Sequence, residues 1–346
     1  MGKRVCIISV LWIFSSLYGQ SSGIYRQLDL ALQHPQKVRV LDISDQQITS
    51  LPPQIEKFIH LEELIAGGNQ LTKLPPEICQ LTHLRRLYLP NNRLMELPTC
   101  IGKLTALKDI NLLNNEVNLL PPSIGKLDSL ESLELFSNNL TALPDEITQC
   151  HQLKELGLYF NTISRLPEKF GELTHLEKLL LNSNRLYRLP ESFCQLKNLK
   201  ELYLAKNELQ KLPNCFGDVS GLEKIELDHN KLTQLPESFG KLIRLKQLQL
   251  EHNFLTTLPN GIGGLTHLEV LYLQQNLIQN LPSEMGNMIG LRELYLSDNQ
   301  IKNLPENLEN WKNISRLHLY GNPMVDTERK RIKTALPRTT VDFKIR

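Results

Sequence analysis

The sequence predicts an α/β solenoid, a curved array with a parallel β-sheet on its concave face and extended or 3₁₀ segments on its convex side. Three observations carry that prediction. The pattern LxxLxLxxNxLxxLPxxIxxLxx begins at Val38 and returns every 23 residues through Ile314 without an insertion, giving thirteen units, the last one truncated. Two apolar residues stand two apart in each unit, as Leu133 and Leu135 do, which is the spacing of a strand with one buried face. Leucine then proline recurs in all twelve full units, from Leu51-Pro52 to Leu304-Pro305. Proline there disfavours a continuing strand or a long helix, so the return segment is extended or one turn of 3₁₀.

The remaining fixed positions follow from the same physics. With Leu133 and Leu135 inward, Ser132, Glu134 and Phe136 point to the concave surface. The polar anchor after the strand is Asn in units two to thirteen, from Asn69 to Asn322, and Gln46 in the first. An amide buried at that turn bonds the backbone of its own and the adjacent unit, and leaving it unpaired costs ~1–3 kcal/mol. The apolar residues of a single unit do not offset the entropy of ordering its backbone. Residues 38–324 therefore fold together, as one stacked domain.

Both ends of a stack need covers. Residues 20–37 form the first, where Ile24, Leu28, Ala31 and Leu32 fall at helical spacing and Pro35 ends the helix. Residues 325–346 form the second. A helix in DTERKRIKTALP is expected there, capped by Asp326 or Thr327, with Glu328 in its first turn and Ile332 and Leu336 inward. A final strand in TTVDFKIR follows. Residues 1–19 show Lys3 and Arg4 ahead of an apolar stretch from Val5 to Tyr18, then the small Gly19. That is the pattern of a secretory signal peptide, the other reading being a buried N-terminal helix. The stretch falls short of the ~20 residues a membrane-spanning helix needs, and no other segment qualifies, so export leaves a soluble or surface-attached protein.

The repeats resemble leucine-rich repeats of the 23-residue class, over residues 38–324. That class includes intracellular Ras-suppressor and Ras-scaffold proteins, plant Ras-group proteins and secreted or surface bacterial proteins. The resemblance implies a leucine-rich-repeat solenoid that binds other molecules, and both covers resemble those of bacterial members. It does not name a partner, because the fold serves very diverse ones.

The concave positions supply the candidate site. Asn161 anchors its unit, so Gly157 and Tyr159 face the concave side and Phe160 sits at its lip. Leu113, Phe136, Tyr159, Phe160, Leu180 and Tyr203 then form a contiguous apolar patch across five successive strands. Outside the centre the equivalent positions are mostly polar or small, as at Asp42, Ser44, Gly67, Asn182, Gln249, Gln274 and Ser297. Apolar, aromatic patches of this kind mark interaction sites. A ladder of rings that merely stiffens the sheet is the other reading. Tyr88, Tyr272 and Tyr295 are candidate extensions. Toward the C-terminus Glu226, Asp228 and Glu251 gather acid beside His229 and His252. This strip suits a basic partner segment, with a solvated rim or a divalent metal site as the alternatives.

Other function classes find little support. The chain has 39 basic and 37 acidic residues, interspersed, for a net charge of +2, with no basic run to track nucleic acid. There is no Gly-rich phosphate loop, GxSxG or HExxH, and nothing lies outside the repeats to house chemistry, so no enzymatic activity, cofactor or metal is expected. His60, His83, His175 and His267 share one repeat position and read as architecture. Cys6 leaves with the signal peptide. Cys79 and Cys100 are 21 apart, as are Cys194 and Cys215, at matching positions of adjacent units. They read as small residues in a crowded place, with two equivalent disulfides as the alternative in an oxidising compartment, while Cys150 replaces a core leucine. Asn139-Leu140-Thr141 and Asn313-Ile314-Ser315 are glycosylation sequons that matter only in a host that uses them. The expected function is an exported, non-enzymatic protein that recognises a protein or peptide on its concave face, with a surface glycan as a second ligand class. The alternatives are an intracellular scaffold engaging a small GTPase, kinase or phosphatase, and a purely structural envelope or matrix protein.

Overall fold

The computed structural model describes residues 23–344. The signal peptide assigned to residues 1–19 lies outside them. Fifteen parallel strands form one sheet in sequence order, from Ile24–Tyr25 to Thr340–Asp342. The thirteen between are the repeat strands, from Val40–Asp42 to Arg316–His318. Their register never slips: Leu133 pairs with Leu156, and Leu156 with Leu179. The repeat leucines point away from the concave face into one continuous core, most of them fully buried.

Each strand stops after three residues because the chain must turn toward the convex side. The residue ahead of every anchor takes left-handed backbone, for example Asn114 at φ 53°, Ser137 at 51° and Ser183 at 57°. The anchor then closes the turn. Asn161 Nδ2 donates to the carbonyls of Leu135 (2.9 Å), Leu158 (3.0 Å) and Tyr159 (3.3 Å), and its Oδ1 accepts from Leu140 N–H at 2.9 Å. One amide thus ties its own unit to the one before, and all twelve anchor asparagines are buried. Gln46 is exposed and donates instead to the Arg26 carbonyl of the N-terminal cover. Beyond the turn the proline keeps the chain extended, as at Pro144 (ψ 148°), and a single 3₁₀ turn such as Asp145–Gln149 brings it back.

Two features of the stack were not visible as single residues. Phe170, Phe193, Phe216 and Phe239 occupy the position of the repeat isoleucine and form a fully buried column, ring centroids 6.3, 6.1 and 5.7 Å apart. The second residue of the central units alternates in sign. Glu131 lies between Lys108 (2.8 Å) and Lys154 (2.7 Å), and these two hydrogen bonds hold its carboxyl down at about 2. Exposed pairs of this type add little stability, yet a one-unit slip would set like charge against like.

The covers depart from expectation in two places. Ile24 belongs to no helix: Ile24–Tyr25 pairs in parallel with Val40 and Leu41, extending the sheet, and α1 runs Leu28–Gln33 with Ala31 buried. The unpaired edge of the first repeat strand explains this, since a paired strand satisfies it where a helix cannot. At the other end α2 spans Asp326–Ala335, and Val325 precedes it without a side-chain cap, so Asp326 and Thr327 lie inside the first turn. Glu328 has the larger task. It accepts from Leu304 N–H at 2.9 Å and pairs with Arg331 at 2.7 Å, while Arg331 donates to Leu304 O at 2.8 Å. The two side chains thereby close the backbone that a further repeat would have met. Ile332 and Leu336 are buried as expected, and Thr340–Asp342 is the closing strand. Disulfides join Cys79 to Cys100 and Cys194 to Cys215 across adjacent convex segments, with Cα atoms 5.9 and 5.8 Å apart. Cys150 is a free thiol whose pKa burial pushes up to about 12.

Candidate partner-binding surface

Three rows of side chains face the concave side, from the third, fifth and seventh residues of each unit. Parallel register sets Asn111, Glu134, Gly157, Leu180, Tyr203 and Glu226 next to one another in the middle row. Leu113, Phe136 and Tyr159 lie in the row beside it. Tyr159 is the hub. Its ring packs against Phe136 at 4.7 Å and meets Tyr203 and Phe160 edge-on at 6.3 and 6.4 Å. Together with Tyr88, Leu113 and Leu180, the rings of Phe136, Tyr159 and Tyr203 line a concavity of about 740 Å³. Leu180 supports it from below, since only 5% of it is exposed. Phe160 stands outside the concavity at the lip, 62% exposed.

Gly157 permits this packing. A Cβ there would overlap both the Glu134 carboxylate and the Phe136 ring, which lie across it. Glu134 is the residue that sequence reasoning left out of the site. Burial, reinforced by Glu155 and opposed by Lys178, pushes its carboxyl up to about 7. The other charged side chains around the concavity have ion-pair partners: Asp109 with Arg86 (3.5 Å), which Glu63 also holds, Lys178 with Glu155 (3.0 Å) and Lys224 with Glu226 (2.9 Å). Burial, then Glu226, raises the Tyr159 phenol, and burial together with the hydrogen bond to Glu201 raises that of Tyr203.

The acidic strip is three different groups. Glu226 is held by Lys224 and by Asn182 Nδ2 at 3.1 Å, so it forms part of the concavity wall. Asp228 meets His229 Nδ1 at 3.0 Å. Glu251 keeps one buried oxygen without a hydrogen-bond partner among the described residues, and burial raises its carboxyl. His229 and His252 stack face to face at 4.0 Å, and burial and then His229 lower the His252 pKa. Their geometry is a stack, with no three of these donors gathered as a metal would need. Among the described residues the one such group is Glu191, Cys194 and Cys215, whose sulfurs form a disulfide. Tyr272, Tyr295 and His318 make a second stack, 4.6 and 4.5 Å between rings, well beyond the concavity. Of the repeat-position histidines, His175 and His267 each donate from Nδ1 to a carbonyl of the preceding unit at 2.8 Å, which is an architectural role.

A family model described as a leucine-rich repeat region matches residues 30–116 and 145–235, and a second leucine-rich repeat model matches residues 221–278 and 266–324. The chain belongs to the leucine-rich repeat family. No curated protein sequence matches it. Among solved structures, a leucine-rich-repeat protein of Leptospira interrogans is 34% identical, with a TM-score of 0.54 over 92% of this chain and 99% of its own. An internalin of Listeria monocytogenes is 23% identical with a TM-score of 0.74 over 91% and 89%, a likeness of fold alone. A chain of the Toll–Spatzle complex of Drosophila is 25% identical with a TM-score of 0.77, and this chain spans 90% of itself and 45% of that chain. The leucine-rich repeat solenoid is generally a protein-interaction scaffold. Among the described residues no helix is long and apolar enough to cross a membrane.

Proposed function

We propose that this protein is an exported, secreted or cell-surface, non-enzymatic binder that holds a protein or peptide on its central concave strands. The observation that carries the reading is the Tyr159 cluster, partly exposed rings around a concavity of about 740 Å³. Phe160 favours docking over sheet stiffening. Its backbone is left-handed at φ 52°, where the other units place Asn, Ser, Asp, Gly, Lys, His or Gln, and a bulky ring there is strained and exposed. Tyr88, Leu113, Phe136, Leu180 and Tyr203 complete the apolar surface. Glu226, Asp228 and Glu251 orient the partner, and no cofactor takes part. The Toll–Spatzle likeness supports a protein partner. Export is supported by the leader pattern of residues 1–19 and by the two disulfides, which persist in oxidising compartments. Within the 23-residue class the chain sits with the bacterial group, in keeping with its 34% identity to the Leptospira protein.

Peptides selected from a displayed random library provide the test. The double substitution Tyr159→Ala with Phe160→Ala is expected to cost more than ~2 kcal/mol of binding, roughly 30-fold, with the fold intact by circular dichroism. Phe160→Asn alone should weaken binding while raising stability by ~1 kcal/mol in urea melts. Stiffening of the sheet predicts the opposite, a loss of stability with binding untouched. Export is tested by the intact mass from native cells, which should lack the first ~19 residues.

A further inference from the structure

Charge complementarity narrows the partner. We propose that the concavity accepts a basic side chain of the bound protein or peptide, its cationic head on Glu134 and its apolar stem along Phe136 and Tyr159. This rests on the concave face being the partner site. The groups lining the concavity include four acids, Asp109, Glu134, Glu155 and Glu226, and two bases, Lys178 and Lys224. Asp109 has an ion pair with Arg86, which Glu63 shares, Lys178 compensates Glu155 and Lys224 compensates Glu226. Glu134 alone of the four has no ion-pair partner among the described residues. Its register neighbours, Asn111 and Gly157, carry no charge.

The alternatives fit poorly. An acidic anchor would enter against Glu134, Glu155 and Glu226 together. An apolar anchor would cover the Glu134 carboxyl, drive it to its protonated form and leave its oxygens without a hydrogen-bond partner, which is costly for a polar group leaving water. A guanidinium or ammonium supplies the missing charge, and the faces of Phe136, Tyr159 and Tyr203 attract cations as well. The structure already shows one such contact here, with Lys224 Nζ 4.6 Å from the Tyr203 ring centre. Long basic side chains also present methylene stems that cover apolar surface. Because Glu134 is held near 7 in the free protein, a cation that binds its ionised form releases a proton, and affinity falls below that pH.

The test uses n-butylguanidinium chloride and its neutral counterpart n-butylurea. Both are titrated into the full protein while the Glu134 carboxyl carbon is followed by 13C NMR, its resonance assigned by its absence in Glu134→Gln. Butylguanidinium should lower the Glu134 titration midpoint by roughly 1 pH unit or more, saturably, and butylurea should leave it in place. An unchanged midpoint, or the same shift from both compounds, overturns the basic anchor. If selected peptides still lose affinity in the Tyr159→Ala, Phe160→Ala protein, the concave site survives that failure. Peptides indifferent to the double substitution sink the concave site itself, whatever the probes do.

Discussion

Asn161→Ala lowers the stability of the array by about 3 kcal/mol, whereas Gln46→Ala at the same repeat position lowers it by less than about 0.5 kcal/mol. The difference lies in what each amide leaves behind. Without Asn161 the Leu135 carbonyl loses the Nδ2 donor and the Leu140 N–H loses the Oδ1 acceptor, and neither has another partner among the described residues. Both groups are buried where water cannot substitute. Gln46 is exposed, and its bond to the Arg26 carbonyl exchanges readily with solvent. Urea melts of the two variants against the parent check the contrast, because the stack unfolds as coupled units and a lesion at its centre is felt by its neighbours. Equal losses at the two positions would mean that the anchor acts through turn propensity and not through its buried bonds.

Thirteen copies made the array legible. A position that carries leucine or asparagine in unit after unit has its environment stated many times over, so strand, turn and 3₁₀ return follow from the period alone. The covers occur once each, and there single-residue signals compete. Ile24 fits a helical spacing, but the open edge of the Val40–Asp42 strand claims it. Asp326 is a good capping residue, yet the chain enters α2 one residue earlier, at Val325. The concave rows were legible for the same reason as the core, because side chains alternate along a strand. The repeat position also decides which ring lies where. Phe193 and Phe216 stand at the isoleucine position and are buried, while Phe136 and Tyr159 stand at the concave position and are not. What the sequence did not disclose is pairing across units. Glu226 reads as an open acid until Lys224 and Asn182 are seen on it, and Glu134 reads as an ordinary surface carboxylate. Its environment comes from Gly157 one unit on, which lets it lie down, and from Lys178 two units on, which Glu155 occupies.

That environment has a measurable consequence in the free protein. Burial raises the Glu134 carboxyl from an ordinary 4.5 to about 7. Between those values the folded chain keeps a proton that the unfolded chain has released. The group's contribution to stability is therefore complete in acid, declines as pH rises from about 4.5, and is lost once the folded carboxyl ionises near 7. The shift corresponds to ~3 kcal/mol, or ~2 kcal/mol once the partial exposure of the side chain is allowed for. Glu134→Gln removes the titration while keeping the shape. The variant should match the parent near pH 4 and exceed it by ~2 kcal/mol at pH 8, read from paired urea melts. A difference that does not change with pH would place Glu134 in open water and remove the physical basis for a basic anchor. The expected result has the opposite implication. A carboxylate that destabilises the free solenoid at neutral pH, in the middle of its aromatic surface, is a strain that a bound cation relieves, and the same substitution that steadies the protein should blunt its response to guanidinium.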